Sequence, residues 1–160
     1  MTIQPTNSLR DRPAVDVALL SVRIIIGFIF MMHGAQKLFG AFGGPGIKQM
    51  AQMMGPIGYL VTIGEFFGGF GLLVGFLSRF SAASIIVIMI GAIQMVHGAN
   101  GFFLGKGPDS TMKTAGYEYC LALIGLCLPI LIAGPGKFTL GLCLPLPRSK
   151  RTGRPIIVLE

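Results

Sequence analysis

Six side chains in this sequence could carry acid–base or charge-pairing chemistry away from water: Arg23, His33, Lys37, Glu65, His97 and Glu118. All six stand inside, or at the edge of, long apolar stretches. A charge held in hydrocarbon costs a few kcal/mol at least, so such residues face a bundle interior and take a partner. Both signs are present, which makes pairing feasible. Glu65 and Glu118 are the candidate catalytic groups, since a shielded carboxyl can relay protons. Arg23, His33, Lys37 and His97 are the candidate binding groups. Glu65 could pair with Arg23, whose long side chain reaches toward it, or with Lys37. Either pair could equally serve only to hold the helices in register.

Other chemistries find little support. No His-x3-His or Glu-x2-His spacing occurs, so a metal site has no ligand framework and none is expected. Phosphate loops, dinucleotide fingerprints, Cys-x2-Cys pairs and nucleophile elbows are absent, which excludes hydrolase and nucleotide-dependent readings. Cys120 and Cys127 lie about 10 Å apart along one expected helix, beyond disulfide reach. With Cys143 they read as free thiols acting as small apolar side chains. The methionines read as apolar packing.

The elements that position the six groups follow from composition. Only 12% of the 160 residues are charged and 52% are hydrophobic, whereas a soluble domain carries roughly 25% charged residues. The 24 glycines suit closely packed membrane helices. Four apolar stretches, at about 17–39, 56–77, 80–97 and 117–133, are each long enough to cross a bilayer. Between the first two, Ile47, Met50, Ala51 and Met54 recur with helical spacing and predict a short amphipathic helix. The fold class is therefore all-α: an integral membrane four-helix bundle with a short amphipathic helix between spans one and two. Its expected parts are an N-terminal segment (1–16), a membrane domain (17–140) and a basic tail (141–160). The connection at Ser78-Arg79 is tight, whereas Gly98–Gly116 is a long glycine-rich loop.

The basic residues of the N-terminus, the second connection and the tail outnumber Lys48, Lys106 and Lys113, so both termini are expected in the cytoplasm. The net charge is +7, and five of the basic residues (Lys137, Arg148, Lys150, Arg151 and Arg154) follow the last span, which fits anionic headgroups, not nucleic acid. In that orientation all the candidates but Arg23 approach the outer half of the membrane. At 100° per residue, Arg23, Gly27, Phe30, Gly34 and Lys37 share an arc of about 80° on span one. Gly64, Gly68, Gly71 and Gly75 form a small-residue packing stripe on span two within about 60°.

Taken in order, the residues are familiar. Arg23-x3-Gly27-x2-Phe30-x2-His33-Gly34-x2-Lys37-x-Phe39-Gly40 resembles the opening of the DoxX family of small four-helix membrane proteins. Glu65-x2-Gly68-Gly69, Gly75, His97-x2-Asn100-Gly101-Phe102-Phe103, Gly116-Tyr117-Glu118-Tyr119 and Gly134-Pro135-Gly136 continue the resemblance to about Leu140. It implies a multi-pass protein of a bacterial-type plasma (inner) membrane, acting as a membrane subunit of a redox enzyme or as its partner. Members are described with thiosulfate:quinone and terminal-quinol-oxidase systems. No covalent cofactor is expected, and a quinone or quinol could sit between the helices. His33, Lys37 or His97 would donate to it, Glu65 or Glu118 would relay protons, and Phe30, Phe66 and Phe67 would wall it. The alternatives are a non-catalytic anchor or assembly partner of an oxidoreductase, docked through Phe102, Phe103 and the Met-rich helix, and a small transporter formed by a homo-oligomer.

Overall fold

The computed structural model describes residues 13–106 and 113–140. The start of the N-terminal segment, Cys143 and the basic tail lie outside the described residues. The described residues form five α-helices: α1 (Pro13–Phe39), α2 (Gly46–Met54), α3 (Pro56–Val74), α4 (Ser78–Ala92) and α5 (Glu118–Ala133). Among the described residues the fold is all-α apart from one antiparallel hairpin, β1 (Leu104–Lys106) with β2 (Lys113–Ala115), in which Gly105 faces Thr114. That hairpin falls in the third connection, where the sequence predicts only a loop. Its strands are three residues each, too short to leave a period-two pattern.

Three helices, Pro13–Phe39, Pro56–Val74 and the continuous helical run Ser78–Asn100, are long and apolar enough to cross a membrane. The fourth, α5, has 16 residues, a rise of about 24 Å against a hydrocarbon thickness of about 30 Å. The four long helices form a ring in which α1 packs on α3, α3 on α4, α4 on α5 and α5 back on α1. Successive helices run antiparallel, and the core between them is built from Ile26, Phe30, Leu72, Ile85, Leu123 and Ile130. Two ends result. At one, α1 begins, α5 finishes and α3 turns tightly into α4. At the other lie α2 and the hairpin.

Glycine sets the closest contacts. On α1 a Cβ at Gly27 would come within 2.8 Å of the Gly69 carbonyl, and one at Gly34 would run into the Phe66 backbone. The α3 stripe faces α4: Gly64 meets Ile88, Gly68 meets Ile85 and Gly71 meets Ser81. Helices in lipid associate by such close packing, because lipid tails compete for apolar contact as well as protein does. Gly75, with φ 75°, ends α3 in the left-handed region and lets the chain turn directly into α4.

A contrast between glycines makes this measurable. Gly91 and Gly125 have nothing within 4 Å of an added Cβ. Alanine there should be neutral or stabilising by up to about 1 kcal/mol through helix propensity. Gly34→Ala should instead destabilise by about 1–3 kcal/mol through overpacking. Unfolding titrations in mixed micelles read both; equal effects at Gly34 and Gly91 would remove the case for a glycine-dependent α1–α3 contact.

Candidate functional site

Lys37 stands in the last turn of α1, where a cation also meets the negative end of the helix dipole. Its Nζ donates to Glu65 Oε1 at 2.6 Å, joining α1 to the middle of α3. Glu65 is 3% exposed. Its second oxygen, Oε2, is buried and has no hydrogen-bond partner among the described residues. The Lys37–Glu65 pair lines a cleft of about 800 Å³ between α3 and α4, under α2. Apart from the ion pair, Ser84 and His97, its walls are apolar, with Met50 and Met54 of α2, Val61 of α3 and Ile88 of α4 among them. Leu60, Val87 and Met95 at its rim are exposed, so the cleft opens sideways toward lipid.

His97 ends a single π-helical turn, Ile93–His97, that follows α4. Such a turn re-aims side chains relative to a regular helix and recurs at functional sites. Here it brings the ring to β2, where Nδ1–H donates to the Ala115 carbonyl over 2.8 Å. That bond leaves Nε2 as the remaining polar atom of a ring that lines the cleft.

The other candidates lie elsewhere. Arg23 is not paired with Glu65. Arg23 is 1% exposed, and among the described residues its guanidinium donates only to carbonyls: Nε to Leu72 (2.9 Å), Nη1 to Pro135 (2.8 Å) and Phe138 (2.7 Å), and Nη2 to Leu73 (3.4 Å). Leu72 and Leu73 belong to the last turn of α3, whose carbonyls have no intrahelical donor. Pro135 and Phe138 belong to the irregular chain beyond α5. Buried non-helical backbone is tolerated at membrane depth only when something satisfies it, and Arg23 does so here. Glu118 opens α5, and its Oε1 accepts the Leu104 amide at 2.7 Å, tying the hairpin to the helix. It does not line the cleft. His33 is exposed on α1 and makes no hydrogen bond among the described residues. The expected aromatic walls are also displaced: Phe30 is in the core, and Phe66 stacks edge-on between Phe39 and Phe67. Aliphatic and Met side chains, with Phe80, line the cleft instead.

One buried charge escaped the sequence reading. Asp16, in the first turn of α1, is 6% exposed, accepts the Lys137 amide at 3.1 Å and pairs with Lys137 Nζ at 3.4 Å. The signal was available. Asp16 and Arg23 are seven positions apart, which puts both on one helix face, and together they hold the chain between Gly134 and Phe138. Cys120 and Cys127 are buried and unpaired, in keeping with packing roles.

With this geometry in place, comparison with known proteins is informative. A family model, DoxX, matches residues 18–98. The matched region holds Arg23, His33, Lys37, Glu65 and His97 and leaves out Glu118. The chain is 30% identical over 128 residues to the inner membrane protein YqjF of Escherichia coli (strain K12), covering 78% of this chain and 90% of that protein. No solved structure matches. The family match, the extent of the similarity to YqjF and the bundle of apolar helices lead to one assignment: the chain is a multi-pass membrane protein of the DoxX family.

Proposed function

We propose that the chain is a redox-linked subunit of the inner membrane that holds a quinone or quinol in the cleft between α3 and α4, with both termini in the cytoplasm. One observation carries this reading: an ion pair with a buried carboxylate, Lys37–Glu65, forms the polar floor of a mostly apolar cleft that opens toward lipid. A volume of about 800 Å³ lies within the range of about 300–1,000 Å³ typical of small-molecule sites. The orphaned Oε2 of Glu65 also fits a ligand with a polar head. A bound quinone would supply two-electron, two-proton chemistry that no side chain here provides.

The residues divide the work. Lys37 Nζ offers donors to a carbonyl and holds Glu65 in place. Glu65 Oε2 is the acceptor for a proton from the head. His97 stands at the cleft wall beside the hairpin, positioned to exchange protons through Nε2 with water outside. The apolar walls exclude water from the floor. A partner subunit would deliver or take up the electrons.

Native mass spectrometry of the full chain, released gently from its own membrane, tests the reading. A quinone-sized mass should remain on the wild-type protein and be lost in Glu65→Gln, with any partner subunit still bound. Loss of the partner and retention of the lipid-like mass would point to the anchoring role. That second reading draws on the exposed Phe103 just before β1 and the exposed Met53 of α2.

A further inference from the structure

We infer that the hairpin is a lipid-contacting element: its root, residues 101–104 with Tyr117, lies in the interfacial layer of the bilayer, and Phe103 and Leu104 meet lipid there rather than water. The inference rests on the membrane assignment and is independent of what the cleft holds. It starts from the length of α5, which rises about 24 Å against about 30 Å of hydrocarbon. The chain at its two ends has to cover the remainder. Non-helical backbone at that depth needs protein partners for its polar groups, because water is not there to serve them. At one end Arg23 serves it.

At the other end the hairpin root is served in the same way. The Gly101 and Phe102 carbonyls accept from the Tyr117 and Glu118 amides at 3.1 and 3.0 Å. The Leu104 amide donates to Glu118 Oε1 at 2.7 Å. The Ala115 carbonyl accepts from His97 Nδ1 at 2.8 Å and from Asn100 Nδ2 at 3.4 Å. A carboxylate, an imidazole and an amide are thus committed to backbone groups that water would otherwise satisfy. Gly116 closes the root tightly, since a Cβ there would run into the Phe103 carbonyl.

Tyrosine marks the height. Its rings concentrate at membrane–water interfaces, and all three in the chain lie at this end: Tyr59 in the first turn of α3, Tyr117 at the root and Tyr119 in the first turn of α5. Tyr59 and Tyr119 are exposed. Tyr117 stacks edge-on with Phe102, and Phe102 does the same with Phe103. From that level Phe103, 74% exposed, and Leu104 continue the surface of α5 on which Leu121 and Leu128 are exposed. At Lys106, opposite Lys113, the sequence has turned from apolar to cationic, as chains do on reaching the headgroups. Such a surface is open to another membrane helix and closed to a water-soluble partner.

The chain has no tryptophan, so Phe103→Trp installs a single fluorophore. The full-length variant is placed in nanodiscs whose phospholipids carry bromine either near the headgroup end of the acyl chains or near their tips, and iodide is titrated into the water. The emission should be shifted to the blue, lost mostly to bromine near the headgroup end, and little affected by iodide. Phe28→Trp, on the exposed middle of α1, is the deep reference and should be quenched most by bromine at the chain tips. Red emission that is lost to iodide and untouched by brominated lipid overturns the inference and leaves the hairpin in water, free for a soluble partner. Blue emission untouched by either quencher overturns it too and places a protein over Phe103. Leu104→Trp reads the same surface if Phe103→Trp prevents folding.

Discussion

Arg23→Ala should be among the most destabilising single substitutions in the chain, costing roughly 3–5 kcal/mol. Four hydrogen bonds from one guanidinium end on backbone carbonyls of two separate segments. Removing the donor strands carbonyls at the end of α3 and in the chain beyond α5. The loss should also be local. The segment from Gly134 to Phe138 would keep its ties to Asp16 and to the end of α5 but lose those to Arg23, and it should become the first site of proteolysis. Arg23→Lys keeps the charge but not the planar fork, so it should recover about half of the loss. Unfolding in mixed micelles gives the magnitude, and limited proteolysis gives the location. A value for Arg23→Ala within about 1 kcal/mol of wild type, the scale of an ordinary surface change, would mean that Arg23 is not the clamp described here. Activity should fall only in step with folded protein, because this clamp lies at the opposite end of the bundle from α2 and the hairpin.

The Lys37–Glu65 pair should behave differently. Lys37→Met leaves a carboxylate buried without its counter-charge, at a cost of about 3–5 kcal/mol. Glu65→Leu leaves the ammonium, but Lys37 is 26% exposed in its side chain and its long stem can lead the charge outward, so the cost should be nearer 1–2 kcal/mol. The double variant removes both charges and should be more stable than Lys37→Met alone. A coupling of at least about 2 kcal/mol is expected from the cycle. Strict additivity would mean that the two groups do not interact in the folded protein. Stability and ligand binding should also separate: the double variant should fold and yet fail to retain any quinone or quinol. A structural pair alone would leave ligand retention untouched.

Much of the architecture is legible without coordinates, and particular residues show why. Spans one, two and three are written in runs of apolar residues long enough to cross a bilayer, a signal that depends on composition and not on contacts. The amphipathic segment carrying Met50 and Met54 is readable because helical spacing survives in a short window; that it packs over a cleft is not. The glycines of α1 and α3 announce close packing, but their partners required the fold. Gly64 and Gly68 face α4, whereas Gly69, outside the stripe, meets Gly27 on α1. The hairpin is invisible locally, since three-residue strands carry no periodicity. Asp16 was readable on the face it shares with Arg23, yet it was assigned to the segment before the first span.

By itself, the sequence determined the class of protein, the number of apolar helices, the family and the group of ionisable residues from which any site must be drawn. Those depend on composition, length and order, which are properties of one strand of text. Which charges meet was decided by the tertiary structure. Lys37 reaches Glu65 while Arg23 turns to carbonyls at the other end of the bundle, because helix register places Leu72 and Leu73 beside Arg23. The same register puts His97 into the cleft wall and gives Glu118 to the hairpin. A helical sequence specifies which residues share a face. Only the packing of several helices specifies which faces share a level, and a site made of one charge from each helix exists only at that stage.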